Sequence, residues 1–595
     1  MEKYTEIAKK WIASFEVALN NNDIEGILSL FQEECYWRDL ISFTWNIKTF
    51  EGKGQIKDML VAQLADTKAR NFIIQEVGNE NNGIIEVFFF FETLLARGRG
   101  ILRLKGGLCW TILTTSYELI GFEEKKNKRR VMGAEHGIDK NRLTWLEKKQ
   151  KEESELGYTK QPYVLIIGGG QGGIALGARL KRLGVPTLIC DKQERAGDQW
   201  RNRYKSLCLH DPIWYDHLPY LPFPDDWPVF SPKDKIADWL ECYVKIMELN
   251  YWSNAEVTKA NFDEKSKIWE VKVNKDGKEI TLKPTQLVFA LGMSGVPNVP
   301  KLEGAELFKG EQQHSSEHKG PEQYKGKNVI VLGANNSAHD ICAALWENDA
   351  KVTMIQRSST HIVRSNSLME IVLGGLYSEE AVESGITTQK ADLIFASIPF
   401  KVMPHLHKEL FDEIRKRDKE FYDKLEKRGF LLDFGDDDSG LFLKYLRRAS
   451  GYYIDVGASE LIANGDINLE RGNIAKIKEN SVVLDNGKEL PADLIVYATG
   501  FSSMNFWVEK IVSKEMADKV GKVWGLGSNT TKDPGPWEGE LRNMWKPTQQ
   551  ENLWFHGGNL HQSRHYSLYL SLQLKARYEG LKTQVYGLQE VYHLF

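Results

Sequence analysis

Tyr163 to Ile167 (YVLII) is an unbroken apolar run, and Gly168 to Gly173 (GGGQGG) follows it at once. A helix-like stretch, Ile174 to Leu183, comes next. This strand, glycine turn and helix constrain the fold more than any other feature of the chain. A strand buried on both faces reads as continuous apolar sequence, which is the mark of a parallel βαβ unit. The glycines have separate roles. Gly168 permits the tight turn, Gly170 lets backbone approach a pyrophosphate, and Gly173 lets helix and strand pack closely. The phosphates then sit at the positive end of the helix, on Gly172 and its neighbours. The next strand, Thr187 to Cys190, ends in Asp191 and Lys192. Asp191 stands about 20 residues past the first glycine, where a carboxylate takes ribose hydroxyls.

A second copy follows. The strand Asn328 to Leu332 runs into Gly333, Asn335, Asn336, Ser337 and Ala338, a GxNxxA version of the motif, and a helix continues through Trp346. Asn tolerates left-handed backbone better than most residues, so Asn335 is expected to preserve the turn. The next strand, Lys351 to Ile355, leads to Gln356, Arg357 and Ser358. Gln356 occupies the register of Asp191. A carboxylate there would repel a 2′-phosphate, whereas Arg357 accommodates one. The first site reads as FAD and the second as NADPH, with NADH also accepted because only one arginine is evident. Two such sites imply a flavin that takes hydride from a nicotinamide. The runs Leu287 to Gly292 and Leu494 to Gly500 are strands ending in small residues, where a chain passes close to a cofactor.

Proline divides the chain: all 18 prolines lie at or after Pro162. The proline-free part is expected to fold as a separate α+β unit over 1–130. Ile7, Trp11, Phe15, Ala18 and Leu19 fall on one helix face, and Asn21 to Asp23 cap a second helix carrying Ile27, Leu28, Leu30 and Phe31. Strand-like runs follow at Asn71–Val77, Ile84–Leu95, Gly100–Leu104 and Leu108–Leu119. A charged linker spans 131–160. The rest is expected as two α/β dinucleotide-binding domains, one inserted in the other: an FAD domain over 161–300 and 465–595, and an NAD(P)H domain with a helical insertion over 301–464.

Several classes are excluded. A net charge of −4 gives no footprint for nucleic acid or anionic membrane. No apolar stretch approaches the ~18 residues of a membrane span. Six cysteines stand apart with no CxxC, which argues against a disulfide framework, a zinc site and a disulfide reductase. A cytoplasmic enzyme is expected. Alternatives are an NADPH-oxidising flavin reductase or oxidase, and a non-catalytic interaction protein with a degenerate flavin module. The polar run His556 to His565 has three histidines but no cysteine or carboxylate, so it is not expected to bind metal.

Phe308 to Lys319 (FKGEQQHSSEHK), with His314 at its centre, resembles the FxGxxxHSxx(Y)K fingerprint of the class B flavoprotein monooxygenases. Gly197 to Trp200 (GDQW), including Gln199, resembles that family's GGxW flavin contact, and Ala498, Thr499, Gly500 and Phe501 match its second ATG-type motif. The N-terminal run Trp37-Arg38-Asp39 and its surroundings resemble NTF2-like (SnoaL-like) domains. The whole chain is similar to type II flavin-containing monooxygenases, with the NTF2-like extension at the N-terminus. The resemblance implies reduction of FAD by NADPH, a flavin C4a-(hydro)peroxide, and transfer of one oxygen atom from dioxygen to a small molecule. The outcome is a ketone converted to an ester or lactone, or an S- or N-oxide. It places His210 where relatives carry Asn or Asp, as the expected catalytic residue, and it closes the run His556 to His565 over the flavin, with Gln562 as the expected contact. Arg364 and Arg564 are the candidates for an arginine that holds a peroxyanion. It also implies a homodimer held partly by the N-terminal sheet.

Overall fold

A computed structural model of the chain describes residues 2–134, 136–137, 140–293 and 295–591. Residues 135, 138 and 139 of the expected linker, and the last four residues, lie outside that set.

The N-terminal part packs helices α1 (Glu2–Asn20), α2 (Ile24–Ser29) and α3 (Gly52–Thr67) on a six-stranded sheet. Its strands are β1 (Phe31–Leu40), β2 (Ile47–Glu51), β3 (Arg70–Val77), β4 (Ile84–Glu92), β5 (Ala96–Lys105) and β6 (Leu108–Leu119), in the order β2-β1-β6-β5-β4-β3. β1 pairs with β6 in parallel; the other pairs are antiparallel. Two expectations are corrected here. The second helix ends at Ser29, so Phe31 opens a strand. The unit is also not separate. Side chains alternate across each strand. Trp37, Val87, Phe89, Leu102 and Ile112 join the helices in one core. Leu40, Phe88, Ile101 and Leu113 face the other way and join the core of the nucleotide-binding part. With that face covered by its own chain, it is not free to meet a second copy.

Helix α4 (Trp145–Glu155), opened by a Thr144–Glu147 capping box, lies within the charged connection. The first parallel sheet has β7 (Val164–Ile167), β8 (Thr187–Cys190), β9 (Tyr251–Trp252), β10 (Gln286–Phe289) and a strand near the C-terminus, Leu553–Phe555, in the spatial order Leu553–Phe555, β10, β7, β8, β9. The second has β11 (Glu311–His314), β12 (Asn328–Leu332), β13 (Lys351–Gln356), β14 (Asn468–Arg471) and β15 (Leu494–Tyr497), in the order β11-β15-β12-β13-β14. The boundary expected at 465 therefore moves: β14 and β15 hydrogen-bond in the second sheet, and the chain rejoins the first only at Leu553. Helix α5 (Gln171–Arg182) follows β7, and α6 (Asn336–Glu347) follows β12.

Two chain crossings join the sheets, and they run side by side. The amide of Asn298 donates to Gly500 O and that of Ser502 to Val296 O, both at 2.9 Å. A helical insertion between β13 and β14 includes α7 (Thr388–Ala396), and α8 (Leu560–Tyr578) packs on α5. Among the described residues, no helix is long and apolar enough to cross a membrane.

Candidate active site

Both glycine turns are built alike. Gly168 adopts φ +102°, and a Cβ there would stand 2.5 Å from Ala290 O. Gly333 adopts φ +134°, and its Cβ would stand 2.4 Å from Ala498 O. Each turn thus presses on the small-residue end of a crossing strand, which is why those runs end as they do. Asn335 has φ −103°, so it is extended; Gly333 alone carries the left-handed turn, and the role expected of Asn335 is corrected. Gly173 has no room for a side chain, since a Cβ would lie 2.0 Å from Gly168 O. A Cβ on Gly172 would meet Gly557 at 3.1 Å, so the 556–558 loop does close over the start of α5. Gly170 is different. Its nearest neighbour would be Gln199 Nε2 at 3.5 Å, with no backbone in contact.

Asp191 is buried at the end of β8. Its Oδ2 accepts the Gly169 amide at 2.6 Å and its Oδ1 the Gln193 amide at 2.8 Å. Burial lifts its pKa more than those bonds lower it. Lys192 points to solvent. The amide group of Gln199 and the indole N–H of Trp200 are buried with no partner among the described residues. Buried polar groups of this kind are normally bonded, and Gln199 lies on the open side of Gly170. The residues present therefore fit a dinucleotide at the first turn.

At the second turn, Asn336 Oδ1 accepts the Ile454 amide (3.1 Å), and Ser337 stands in the first turn of α6. Gln356 does not reach a ribose. Its side chain is fully buried and bonds both the amide and the carbonyl of Leu431 (2.8 and 3.0 Å). Arg357 and Ser358 are exposed beside it. Burial lowers the pKa of Lys532, and Arg448, Arg357 and Lys444 lower it further. Lys444 and Arg448 are already paired with Asp433 and Asp436, so Arg357 and Lys532 are the cations here that fit an anionic 2′-phosphate.

His314 braces the crossings. Its Nδ1 lies 2.8 Å from Ser316 Oγ and its Nε2 3.1 Å from Gly500 O. Thr499 donates its hydroxyl to Asn298 O. His318 of the fingerprint is buried, stacks near Tyr324, and has neither ring nitrogen bonded. Burial holds its pKa down at about 4, so it serves as a neutral aromatic.

His210 packs against the helix of the second glycine turn and edge-on to Tyr453. Its Nε2 is 3.3 Å from Asp340 Oδ2 on α6, and Tyr204 donates to the same oxygen at 2.7 Å. Burial lowers its pKa, but Asp340 outweighs that and leaves it above the ordinary value. Next to it, burial pushes Asp211 up to about 6. Gln562 is the third residue of α8, where its Oε1 accepts from Tyr445 Oη (2.6 Å) and from the Asn559 amide (3.3 Å).

Arg564 is not available to hold an oxygen species. Its Nε and Nη2 donate to Asp392 (2.9 and 2.8 Å), and its Nη1 donates to the carbonyls of Tyr215 (2.8 Å) and His217 (2.6 Å). Arg364 is half-exposed, paired at 3.8 Å with Asp418 and laid over Phe421. Sequence reasoning missed Asp340, Asp392, Tyr377 and Tyr445. Only Asp340 had a signal, its place on the helix opened by the second motif. The segment after His210, Pro212 to Pro232, carries six prolines and forms a strap that Arg564 pins against α7 and α8, and Tyr215 stacks on His561 at 4.3 Å.

This geometry defines a two-dinucleotide flavoprotein oxidoreductase that uses FAD and NAD(P)H. The family model "Pyridine nucleotide-disulphide oxidoreductase" matches residues 165–398, although the chain has no CxxC. A probable indole-3-pyruvate monooxygenase, YUCCA10 of Arabidopsis thaliana, is 29% identical over 350 residues, covering 58% of this chain and 83% of that protein. Indole-3-pyruvate monooxygenase YUCCA1 of Oryza sativa subsp. japonica is 34% identical over 214 residues, covering 36% and 52%. An open crystal structure of cyclohexanone monooxygenase superposes with a TM-score of 0.50 and 19% identity, covering 70% of this chain and 88% of that one; this likeness shows the fold. The chain is related to the class B flavin-dependent monooxygenases.

Proposed function

We propose that this protein is an NADPH-dependent flavin monooxygenase of the type II kind, its N-terminal domain NTF2-like, that inserts one oxygen atom into a small ketone or thioether. The observation that carries the reading is His210, held by Asp340 on the helix of the second nucleotide turn. When bound, FAD supplies hydride acceptance from the nicotinamide and activation of dioxygen. The chain's own residues do the rest. The glycine turns and helix N-termini hold the phosphates. Arg357 and Lys532 favour the 2′-phosphorylated coenzyme. His210 carries a proton above its usual range and presents it on the side of the second nucleotide turn. The Arg564–Asp392 pair fixes the strap that excludes water. A carbonyl substrate is supported by the relatives, which are named for indole-3-pyruvate, a 2-oxo acid. The test is incubation with a cyclobutanone and a thioether, each with NADPH and with NADH, followed by product identification. A lactone or sulfoxide formed with NADPH supports the reading; NADPH consumed with no oxygenated product refutes it.

A further inference from the structure

α7 lies across the outward face of the N-terminal sheet. At its first turn, Lys390 pairs with Glu76 on β3 at 2.7 Å and sits over Phe88 on β4. At its last turn, Arg103 on β5 donates to Ser397 Oγ (2.7 Å) and Ser397 O (3.2 Å). Arg38 on β1 donates to Ala396 O at 2.6 Å. The final carbonyls of a helix have no partner within it, and cations are favoured there. Two guanidinium groups from another domain satisfy this helix end.

Arg38 reaches further. It forms a bidentate pair with Glu540 (2.6 and 2.8 Å) and donates to Tyr566 Oη on α8 at 3.1 Å, all fully buried. One side chain therefore touches both α7 and α8. Those two helices carry Asp392 and Arg564. Asp392 lies one turn before Ala396, on the same face of α7. Arg564 lies two residues before Tyr566.

From this juxtaposition we infer that the N-terminal sheet is a positioning element of the oxygenation site, with Arg38 and Arg103 setting α7 so that Asp392 holds Arg564 and the strap beyond His210 closed. The inference rests on the monooxygenase reading above. Neither arginine touches a glycine turn, so the flavin and its reduction are not their business.

The variants are Arg103→Met, Arg103→Lys, and the double Arg38→Met/Glu540→Met, which leaves no buried acid unpaired. Three readouts are taken on the full-length holoenzyme: amide exchange over 388–397 and 560–566, anaerobic flavin reduction by NADPH, and hydrogen peroxide released per NADPH. Arg103→Met is expected to speed exchange at the end of α7 about tenfold. It is expected to raise peroxide release about threefold and leave flavin reduction within about twofold. Arg103→Lys, which keeps the cation, is expected to recover most of the coupling. Exchange and coupling both at wild-type levels in a folded, FAD-loaded Arg103→Met would overturn the inference. So would a parallel fall in flavin reduction and coupling, because that is what general destabilisation gives. If the double variant does not fold, the Arg103 pair decides alone. Should the parent enzyme form no oxygenated product, the functional reading fails, while the exchange measurement still decides whether the sheet sets α7.

Discussion

Gly170 and Gly173 stand three residues apart in one motif, yet alanine should do opposite things at them. At Gly173, a Cβ would lie 2.0 Å from Gly168 O, against backbone that cannot rotate away. An ordinary contact needs more than an ångström of extra room, so helix and strand must separate. Overpacking of that kind costs about 1–3 kcal/mol, and the cost falls on the protein with or without FAD. At Gly170, φ is −77° and ψ −172°, a conformation open to alanine, and the nearest atom would be Gln199 Nε2 at 3.5 Å. Restricting the unfolded chain gains about 0.4–1 kcal/mol. Losing glycine at a helix N-cap gives back a few tenths. The apoprotein of Gly170→Ala should therefore match the parent within about 0.5 kcal/mol. FAD is another matter, because the methyl group occupies the space where backbone meets pyrophosphate. A tenfold loss of affinity, about 1.4 kcal/mol, is the least expected. Urea unfolding of the apoproteins and titration of FAD by quenching of its fluorescence separate the two effects. Gly170→Ala binding FAD as tightly as the parent would refute the placement of the cofactor.

Three further outcomes are expected. His210→Ala should retain FAD and its reduction by NADPH but divert most NADPH to hydrogen peroxide, read by comparing peroxide with product. Arg357→Ala should raise the KM for NADPH about tenfold, the weight of one lost charge-assisted contact, and leave that for NADH within about twofold. Asp216 is buried with Oδ2 unbonded, and burial followed by Asp211 raises its pKa well above the usual carboxylate value. A pKa raised on folding means the native state binds more protons, so stability is greatest below the unfolded pKa near 4 and falls as pH rises through the folded value. Asp216→Asn should flatten that decline, measured as Tm against pH; an unchanged slope would count against it.

The nucleotide turns were legible because an apolar strand, a glycine turn and an acid at fixed spacing are all local features. The N-terminal sheet was harder. Its central strands are buried on both faces, so β1 (FQEECYWRDL) shows little alternation, and the glycine-laced start of α3 hid a helix. Membership of β14 and β15 in the second sheet left no trace, since β15 (LIVY) reads the same in either sheet and β14 (NLER) carries no strand pattern at all. The buried pairs were beyond reach for a different reason. Arg38 meets Glu540 across 502 positions and Arg564 meets Asp392 across 172, and nothing in the sequence near either arginine marks its partner.

Consider again the two crossings between the sheets. They are rooted at Ala290 and Ala498, the residues whose carbonyls touch Gly168 and Gly333. The paired segments make a two-stranded hinge, and each phosphate cradle sits at one of its pivots. Points near an axis travel least when two bodies rotate about it. A rotation of one sheet against the other would hardly disturb the grip on either nucleotide; the strain would fall far from the axis, on Arg38 and the Arg564–Asp392 pair that tie the insertion and strap to α8. Tight retention of cofactors and ready exchange of substrate then make separate demands on the fold, and one hinge can meet both.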